Sequence, residues 1–300
     1  MLSRTLEGKI AVITGGSRGT FPWPFPAMNP SLISPKGIGS AIARNLASRG
    51  CSLVLNYSSP KSSEQCISLA KELEEKHAIR CIGVQADMGS ISGPADLIQT
   101  AKAQRLPGSP FRIDIIINNA GVVNNTKIED TDPEDFDWMY RTNVRGPLLL
   151  VKAAIPYLPQ DRSGRIVNVS SISSTEGFEE QSIYGGTKAA LEAMTRTWSR
   201  ELAERCTVNA VNPGPVMTDM WTSMPLSHRA GLKPWVSHTP LAAVRPGLDN
   251  ADLVADADTV GGRPAYSHEV AGIVSMLCSE ESSLCTGQVI CANGGMRMAI

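Results

Sequence analysis

Short apolar, β-branched runs alternate along the chain with segments whose apolar residues recur about every 3.6 positions. Apolar runs that do not alternate with polar residues suit a sheet covered on both faces. Helical spacing appears at 38–48, 64–75 and 191–202. The order predicts one α/β domain over residues 1–300, a doubly wound and mostly or fully parallel sheet of seven strands. The predicted strands are 10–13, 52–56, 81–85, 114–118, 165–169, 207–211 and 288–291.

Two segments depart from this alternation. Residues 20–36 contain five prolines, which remove backbone donors and disfavour helical geometry, so a regular strand or helix is excluded there. Residues 215–265 are rich in Pro, Met and Trp and lie between the last two predicted strands. An insertion of that length is typical of a substrate lid or pocket wall. Its Trp221 and Trp235 are equally compatible with core packing.

Composition narrows the class of protein. The chain has 300 residues, 42% of them hydrophobic, and a net charge of −1, which favours neither nucleic acid nor an anionic membrane as partner. We expect no membrane span, and Met1 to Gly8 is too short and polar for a signal peptide. Seven cysteines without a CxxC pair, and four isolated histidines, predict reduced thiols, a cytoplasmic location and no metal site.

A glycine-rich loop follows the first predicted strand, but it is split. It begins as Thr14-Gly15-Gly16-Ser17-Arg18-Gly19 and resumes as Gly37-Ile38-Gly39. Glycines allow positive φ and close backbone approach, and the N-terminus of the helix that follows attracts phosphate. Without Thr20 to Gly37 the loop would be continuous. The spacing therefore predicts a nucleotide site that has been interrupted.

Three polar groups follow the later strands or open a helix. Tyr184 and Lys188 are four residues apart and share one helical face, where an ammonium group would lower the pKa of the phenol. Ser171 follows the strand 165–169. Asn119, Ala120 and Gly121 follow the strand 114–118, and Asn143 is a polar residue within a helical stretch. Carboxyl ends of parallel strands are where ligands bind.

Together these residues resemble the short-chain dehydrogenase/reductase family over almost the whole chain. The match includes the glycine loop, Ser171 thirteen residues before Tyr184, and the sequence Asn212 to Thr218. The resemblance implies a Rossmann domain and an oxidoreductase in which Tyr184 is the general acid and Lys188 supports it. It further implies that Ser171 holds the substrate oxygen and that Asn143 supports a proton relay. Thr187 stands where many relatives have serine.

The resemblance also implies the nicotinamide cofactor. The end of the second strand reads Asn56-Tyr57-Ser58 with no carboxylate to repel a 2′-phosphate, and Arg18 resembles the basic residue of many relatives that use NADP. We therefore expect NADP(H) rather than NAD(H). The predicted cofactor residues are Gly15, Ser17, Arg18, Gly19, Ile38, Gly39, Asn56, Tyr57, Ser58, Asp87, Met88, Asn119, Ala120, Gly121, Tyr184, Lys188, Pro213, Gly214, Val216 and Thr218.

The substrate is left open by the sequence. The chain is similar to 3-oxoacyl-carrier-protein reductases and to reductases of aromatic or polyketide ketones, and likeness of fold does not choose among them. A carbonyl or alcohol of small-molecule size is implied, in a homodimer or homotetramer. The direction of the reaction in the cell is equally open.

Three interpretations of residues 20–36 compete. They are a tolerated surface loop, an insert that binds a partner, or translated intron sequence. The codons allowed for Gly19 and for Lys36 with Gly37 permit GT and AG at the two ends of such an intron. A split loop would also permit a second class of function, an impaired enzyme that senses nucleotide or binds a partner.

Deleting residues 20–37 is expected to strengthen NADPH binding and to raise the rate of ketone reduction. The deletion joins Gly19 to Ile38. The backbone N–H groups of the shortened loop should then point at the phosphates of the cofactor. Titration of both proteins with NADPH, followed by steady-state turnover, measures the effect. Equal affinity and turnover in the two proteins would contradict the interpretation of residues 20–36 as foreign sequence.

Overall fold

The computed structural model describes residues 4–16, 37–104 and 110–298. Seven strands form one parallel sheet with the order β3-β2-β1-β4-β5-β6-β9. This confirms the predicted doubly wound α/β class. The strands of this sheet are β1 Ile10–Ile13, β2 Ser52–Tyr57, β3 Cys81–Gln85, β4 Ile115–Asn118, β5 Gly164–Val169, β6 Cys206–Val211 and β9 Val289–Ile290. Two short strands, β7 Val216–Met217 and β8 Ala265–Tyr266, form a separate parallel pair.

The strand ends differ slightly from those predicted. The last strand is shorter than 288–291, because only Ala210 and Val211 of β6 pair with it. Asp114 lies outside β4, and its buried carboxylate accepts a hydrogen bond from the amide of Ile10 at 2.9 Å. The backbone of Asp114 still bonds to Ile10 and Arg165, so this side-chain bond adds to the backbone pairing at that edge.

Helices connect the strands and cover both faces of the sheet. A π-helical turn at Arg141–Arg145 interrupts one of them, between α4 and α5. The helices are α1 Ile38–Ser48, α2 Ser63–His77, α3 Gly93–Ala103, α4 Pro133–Tyr140, α5 Gly146–Ala154, α6 Ser173–Glu176, α7 Ser182–Glu201, α8 Asp219–Ser223, α9 Leu226–Gly231, α10 Lys233–Val236, α11 Ala251–Val260 and α12 Ser267–Leu277.

The core has two apolar layers, one on each face of the sheet. Alternate residues of β1 enter opposite layers, Ala11 and Ile13 on one side and Ile10 and Val12 on the other. The first layer contains side chains of α1, α2 and α12, and the second those of α3, α5 and α7. Burial on both faces explains why the strand sequences do not alternate.

The segment between β6 and α12 holds β7, α8 to α11 and β8. The buried Arg263 pairs with Glu269 at 2.8 Å and lies 3.6 Å from Asp249, so charged groups join the end of this segment to α12. Trp235 of α10 packs edge-on against Phe178 with ring centroids 5.1 Å apart. The segment therefore touches the chain that connects α6 to α7.

The described part of the chain has neither a membrane-spanning helix nor a cluster of metal ligands. None of its helices combines the length and apolarity needed to cross a bilayer. Within the same residues, no three His, Cys, Asp or Glu side chains converge as metal ligands. The seven cysteines are free thiols, five of them buried.

Candidate active site

The carboxyl ends of β1 and β4 are joined through Thr14. Its Oγ1 accepts hydrogen bonds from the amides of Asn119 and Ala120, each at 3.0 Å. The Asn119 amide group donates in turn to the carbonyl oxygens of Thr14 and Gly15, at 2.9 and 3.2 Å. The loop after β4 is thereby fixed against the start of the glycine loop. Two of the predicted cofactor residues, Asn119 and Ala120, lie at this junction.

The two described edges of the split glycine loop meet. A Cβ atom on Gly39 would lie 2.4 Å from the carbonyl oxygen of Gly15 and 2.6 Å from Nδ2 of Asn119. No side chain fits at that distance, so the first turn of α1 requires glycine here. Gly37 precedes α1 with a positive φ of 39°. The start of α1 therefore lies against the end of β1, and Ile38 stands at its first position. Ser17, Arg18 and Gly19 lie outside the described residues.

Ser171 and Tyr184 come together from two elements. Ser171 follows β5 and Tyr184 lies in the first turn of α7, and the Ser171 hydroxyl is close enough to the phenol to act on its pKa. The hydroxyl of Ser171 also contacts that of Ser173 at 3.0 Å. Both Ser171 and Tyr184 are half-buried, so a substrate carbonyl can reach them from solvent.

Lys188 is buried one turn further along α7. Its Nζ donates to the carbonyl oxygen of Val169 at 2.9 Å and lies 5.5 Å from the centre of the Tyr184 ring. A Cβ atom on Gly121 would lie only 3.3 Å from this Nζ, so the loop after β4 closes over the amine. Burial lowers the pKa of Lys188 to about 8, and the charge of Glu192 acts in the opposite direction.

Asn143 is buried in the π-helical turn and makes three hydrogen bonds. Its Oδ1 accepts from the amide of Val122, and its Nδ2 donates to the carbonyl oxygen of the same residue, both at 2.8 Å. Nδ2 also donates to Oγ1 of Thr187 at 3.1 Å, and Thr187 donates to the carbonyl oxygen of Tyr184 at 2.7 Å. A π-turn displaces one residue from the helical ladder, and such turns are frequent at functional sites. The structure thus links Asn143 to the first turn of α7.

One electrostatic expectation is wrong for this structure. The sequence suggested that Lys188 lowers the pKa of Tyr184, but burial raises that pKa to about 12, and the hydrogen bond with Ser171 opposes the rise. The ammonium group faces the Val169 carbonyl and the tyrosine ring rather than the phenol oxygen. Desolvation of the phenolate therefore outweighs attraction to the amine.

The predicted nucleoside side of the site lies at the ends of β2 and β3. Asn56 is buried, donates to the carbonyl oxygen of Ala86 at 2.9 Å, and accepts weakly from the amide of Gly15 at 3.4 Å. The Asn56 side chain at the end of β2 therefore supports the start of the glycine loop. Tyr57 is half-buried and Ser58 exposed, so both are open to a ligand.

Asp87 follows β3 and is exposed. Its Oδ1 accepts from the amide of Gly89 at 2.9 Å, while Met88 beside it is buried. The carboxylate therefore stands at the edge of the site on a short turn, and the methionine anchors that turn to the core.

The predicted nicotinamide side follows β6. The carbonyl oxygen of Pro213 accepts from the amide of Ile172 at 3.1 Å, which ties this turn to the residue after Ser171. Gly214 is half-buried beside Asn293, Val216 begins β7, and Thr218 precedes α8 with its hydroxyl on the Val216 carbonyl at 3.2 Å. The structure thus gathers the described predicted residues along one edge of the sheet.

This edge fits a dinucleotide. A helix N-terminus behind glycine backbone suits a pyrophosphate, the exposed residues after β2 and β3 leave room for a nucleoside, and Tyr184 is half-buried at the same edge. The arrangement can polarise a carbonyl between two hydroxyl groups and deliver a proton from the phenol.

Sequence reasoning missed two residues. Thr14 holds the loops after β1 and β4 together, and its place directly before Gly15 was the available signal. Glu192 is buried beneath Ser171, and its spacing of four from Lys188 was the only clue in the sequence.

The doubly wound sheet, with a helix N-terminus at the end of β1, is the architecture of a Rossmann-type oxidoreductase. The family model described as short chain dehydrogenase matches residues 34–228, and the chain belongs to the short-chain dehydrogenase/reductase family. It is an NAD(P)-dependent short-chain oxidoreductase. The family match begins inside the segment 20–36, after the first half of the glycine loop.

Relatives match over nearly their full length. The chain is 46% identical to an L-xylulose reductase of Aspergillus niger, covering 99% of each chain, and 41% identical to an L-xylo-3-hexulose reductase of Hypocrea jecorina, covering 100% of each. Among solved structures, a blue fluorescent protein from a metagenomic library, in complex with NADPH, superposes with a TM-score of 0.74. It is 27% identical, and the match covers 98% of this chain and 100% of that one.

The value of kcat/KM for ketone reduction is expected to fall as pH rises through about 8, where Lys188 loses its proton. Tyr184, with a pKa of about 12, stays protonated over the same range, so the fall belongs to the amine. A pH series from 6 to 10 at saturating cofactor measures it. A rate that stays level to pH 10 would contradict the assignment.

Proposed function

We propose that the protein reduces a ketone to a secondary alcohol with NADPH, with Tyr184 as general acid. The observation that carries this is the pairing of the Tyr184 and Ser171 hydroxyls above the buried Lys188. Bound at the sheet edge, the reduced nicotinamide supplies the hydride that adds to the carbonyl carbon. The protein's own groups bind and polarise the ketone and provide the proton.

Four residues divide this work. Ser171 donates a hydrogen bond to the carbonyl oxygen, and Tyr184 transfers its proton to that oxygen as negative charge develops. Lys188 binds the ribose of the cofactor and keeps a positive charge over the Tyr184 ring. Asn143 holds Thr187 and the first turn of α7, and its position supports a role in returning a proton to the site. In the reverse direction Tyr184 acts as the base.

The preference for NADP(H) is supported by the end of β2. Tyr57 and Ser58 offer a phenol and a hydroxyl to a 2′-phosphate, and no carboxylate follows Asn56 there. The NADPH complex of the metagenomic relative adds to this support. The other predicted cofactor residues between Asp87 and Thr218 complete the proposed cofactor site.

A polyhydroxy ketone is the substrate that we favour, above the 3-oxoacyl and aromatic ketones suggested by the sequence. The relatives named for L-xylulose and L-xylo-3-hexulose carry the highest identities given above. Beside the site, Oδ1 of Asn125 and Oε1 of Gln181 are buried and lack partners among the described atoms. The amide of Thr126 donates to the carbonyl of Glu180 at 2.9 Å, which holds these two stretches together. These polar side chains beside the entrance to α7 are compatible with a polar substrate.

Residues 215–265 are proposed as the lid of this site within a single domain. Trp221 is buried with its Nε1 lacking a described partner, and Trp235 packs against Phe178 on the approach to α7. A cytoplasmic location remains our proposal and is supported by the seven free thiols.

Replacing Tyr184 with Phe is expected to lower kcat for reduction of a ketose at least about 100-fold, because the general acid is removed. Binding of NADPH should change little, since the phenyl ring keeps its place. Oxidation of NADPH over a panel of ketoses, β-ketoesters and aromatic ketones measures both the rate and the preference.

The control variant is Ser182→Ala. Ser182 is exposed in the first turn of α7, so this change should leave turnover unchanged. Turnover that persists in Tyr184→Phe would contradict the catalytic assignment. Absence of turnover on every ketone, with NADPH still bound, would instead favour the second class, a nucleotide-sensing or partner-binding protein with a split loop.

Assembly into a homodimer or homotetramer is proposed from exposed apolar side chains near the C-terminus. Leu284 is 98% exposed and Met276 50% exposed. Light scattering should give a multiple of 32.0 kDa, and Leu284→Lys should reduce it by breaking the apolar contact. A monomer in the unaltered protein would contradict the proposal.

A further inference from the structure

A carboxylate is buried directly behind the loop that carries Ser171. Glu192 is 6% exposed and lies in α7, four residues after Lys188 and eight after Tyr184. These three side chains therefore follow one face of the helix. Among the ion pairs of the described residues, none involves Glu192. Burying a carboxylate without an ion pair is costly, so hydrogen-bond donors must stabilise it.

Two serine hydroxyls satisfy this carboxylate. Ser170 and Ser174 each donate to the same oxygen, Oε1 of Glu192, at 2.7 Å. Ser170 follows β5 and Ser174 lies in α6, so the two donors flank Ser171 on either side in the sequence. Hydrogen bonds to an ionised acceptor are the stronger kind. One oxygen atom of Glu192 thus holds the residues on both sides of Ser171, the proposed substrate-binding serine.

The short helix α6 packs closely on α7 beside this carboxylate. A Cβ atom on Gly185 would lie 2.5 Å from the carbonyl oxygen of Ser173, so the two helices approach to backbone contact. At the far end of α6, Glu176 pairs with Arg297 of the C-terminal segment at 2.7 Å. The short helix is therefore held at two points by charged groups, of which Glu192 is the buried one.

The charge of Glu192 also acts on Lys188. It raises the pKa of the amine, while burial lowers it to about 8. The groups from β5, the loop after β4 and the π-helical turn that face the amine are uncharged. The titratable and charged groups around this pair of residues are Tyr184, Glu176 and Arg297.

We propose that Glu192 is a positioning residue, which fixes the Ser170–Ser174 loop around Ser171 and supplies the counter-charge for Lys188. This role rests on the proposed reduction chemistry but is exerted without contact with substrate. The carboxylate of Glu192 fixes the position of the Ser171 hydroxyl beside Tyr184. Its negative charge also favours the protonated form of Lys188. Both actions are needed in the same catalytic step.

Glu192→Gln separates the two actions, because the amide keeps an acceptor oxygen for the serines and removes the charge. In the full chain, kcat/KM for the ketone is expected to fall about tenfold at pH 8, and the high-pH fall of the profile should move to lower pH. Ser174→Ala removes one hydrogen bond and keeps the charge. It should raise KM for the ketone and leave the pH profile in place.

Glu201→Gln is the matched control, since it makes the same change on the exposed end of α7. It should leave rate and profile unaltered. If Glu192→Gln lowers the rate without moving the profile, or matches Glu201→Gln in both, the proposal is overturned while the reductase activity of the unaltered chain stands.

Thermal unfolding gives a readout that needs no turnover. The amine of Lys188 binds its proton less tightly in the folded chain than in the unfolded one, so its contribution to stability rises as pH increases above about 8. In Glu192→Gln this rise should begin at lower pH, so the Tm difference from the unaltered protein should depend on pH. In a Lys188→Met background that dependence should vanish. A Tm difference that is independent of pH in both backgrounds would overturn the counter-charge role even if the proposed reduction itself failed.

Discussion

The contact between the start of α1 and the end of β1 is the constraint on which the site depends. Gly39 lies against Gly15 and Asn119 at a distance that admits no side chain, and Thr14 holds Asn119 in place. Through this contact the helix N-terminus, the loop after β4 and the amine of Lys188 occupy one edge of the sheet. Lengthening the link between Gly16 and Ile38 from three residues to twenty-one costs roughly 1.7 kcal/mol in loop-closure entropy, which a domain can absorb. The fold can therefore accommodate the interruption at a small entropic cost.

Much of the fold was predictable because its signals are local. Apolar runs that do not alternate predicted all seven strands of the large sheet, and the Tyr184–Lys188 spacing predicted one helical face. The family resemblance from these motifs was confirmed by the family match. Strand ends were less predictable, because the length of the last strand depends on how much of β6 extends beside it.

The electrostatics of the site could not be predicted from spacing. Proximity in sequence suggested that Lys188 acts on the phenol of Tyr184, but the direction of the amine and the burial of the ring are tertiary properties. The role of Glu192 was hidden for the same reason. Its donors, Ser170 and Ser174, come from a strand end and another helix, which only the folded chain brings to one oxygen atom. The residues of the interruption lie outside the described structure, so the sequence remains the basis for interpreting them.

The meeting of Gly15 and Gly39 has a consequence for protein engineering. Contacts outside the intervening sequence hold β1 between β2 and β4 and hold α1 against its end. Because these contacts do not involve the link between Gly16 and Gly37, an engineer can vary the length of that link without removing the contacts that align β1 with α1.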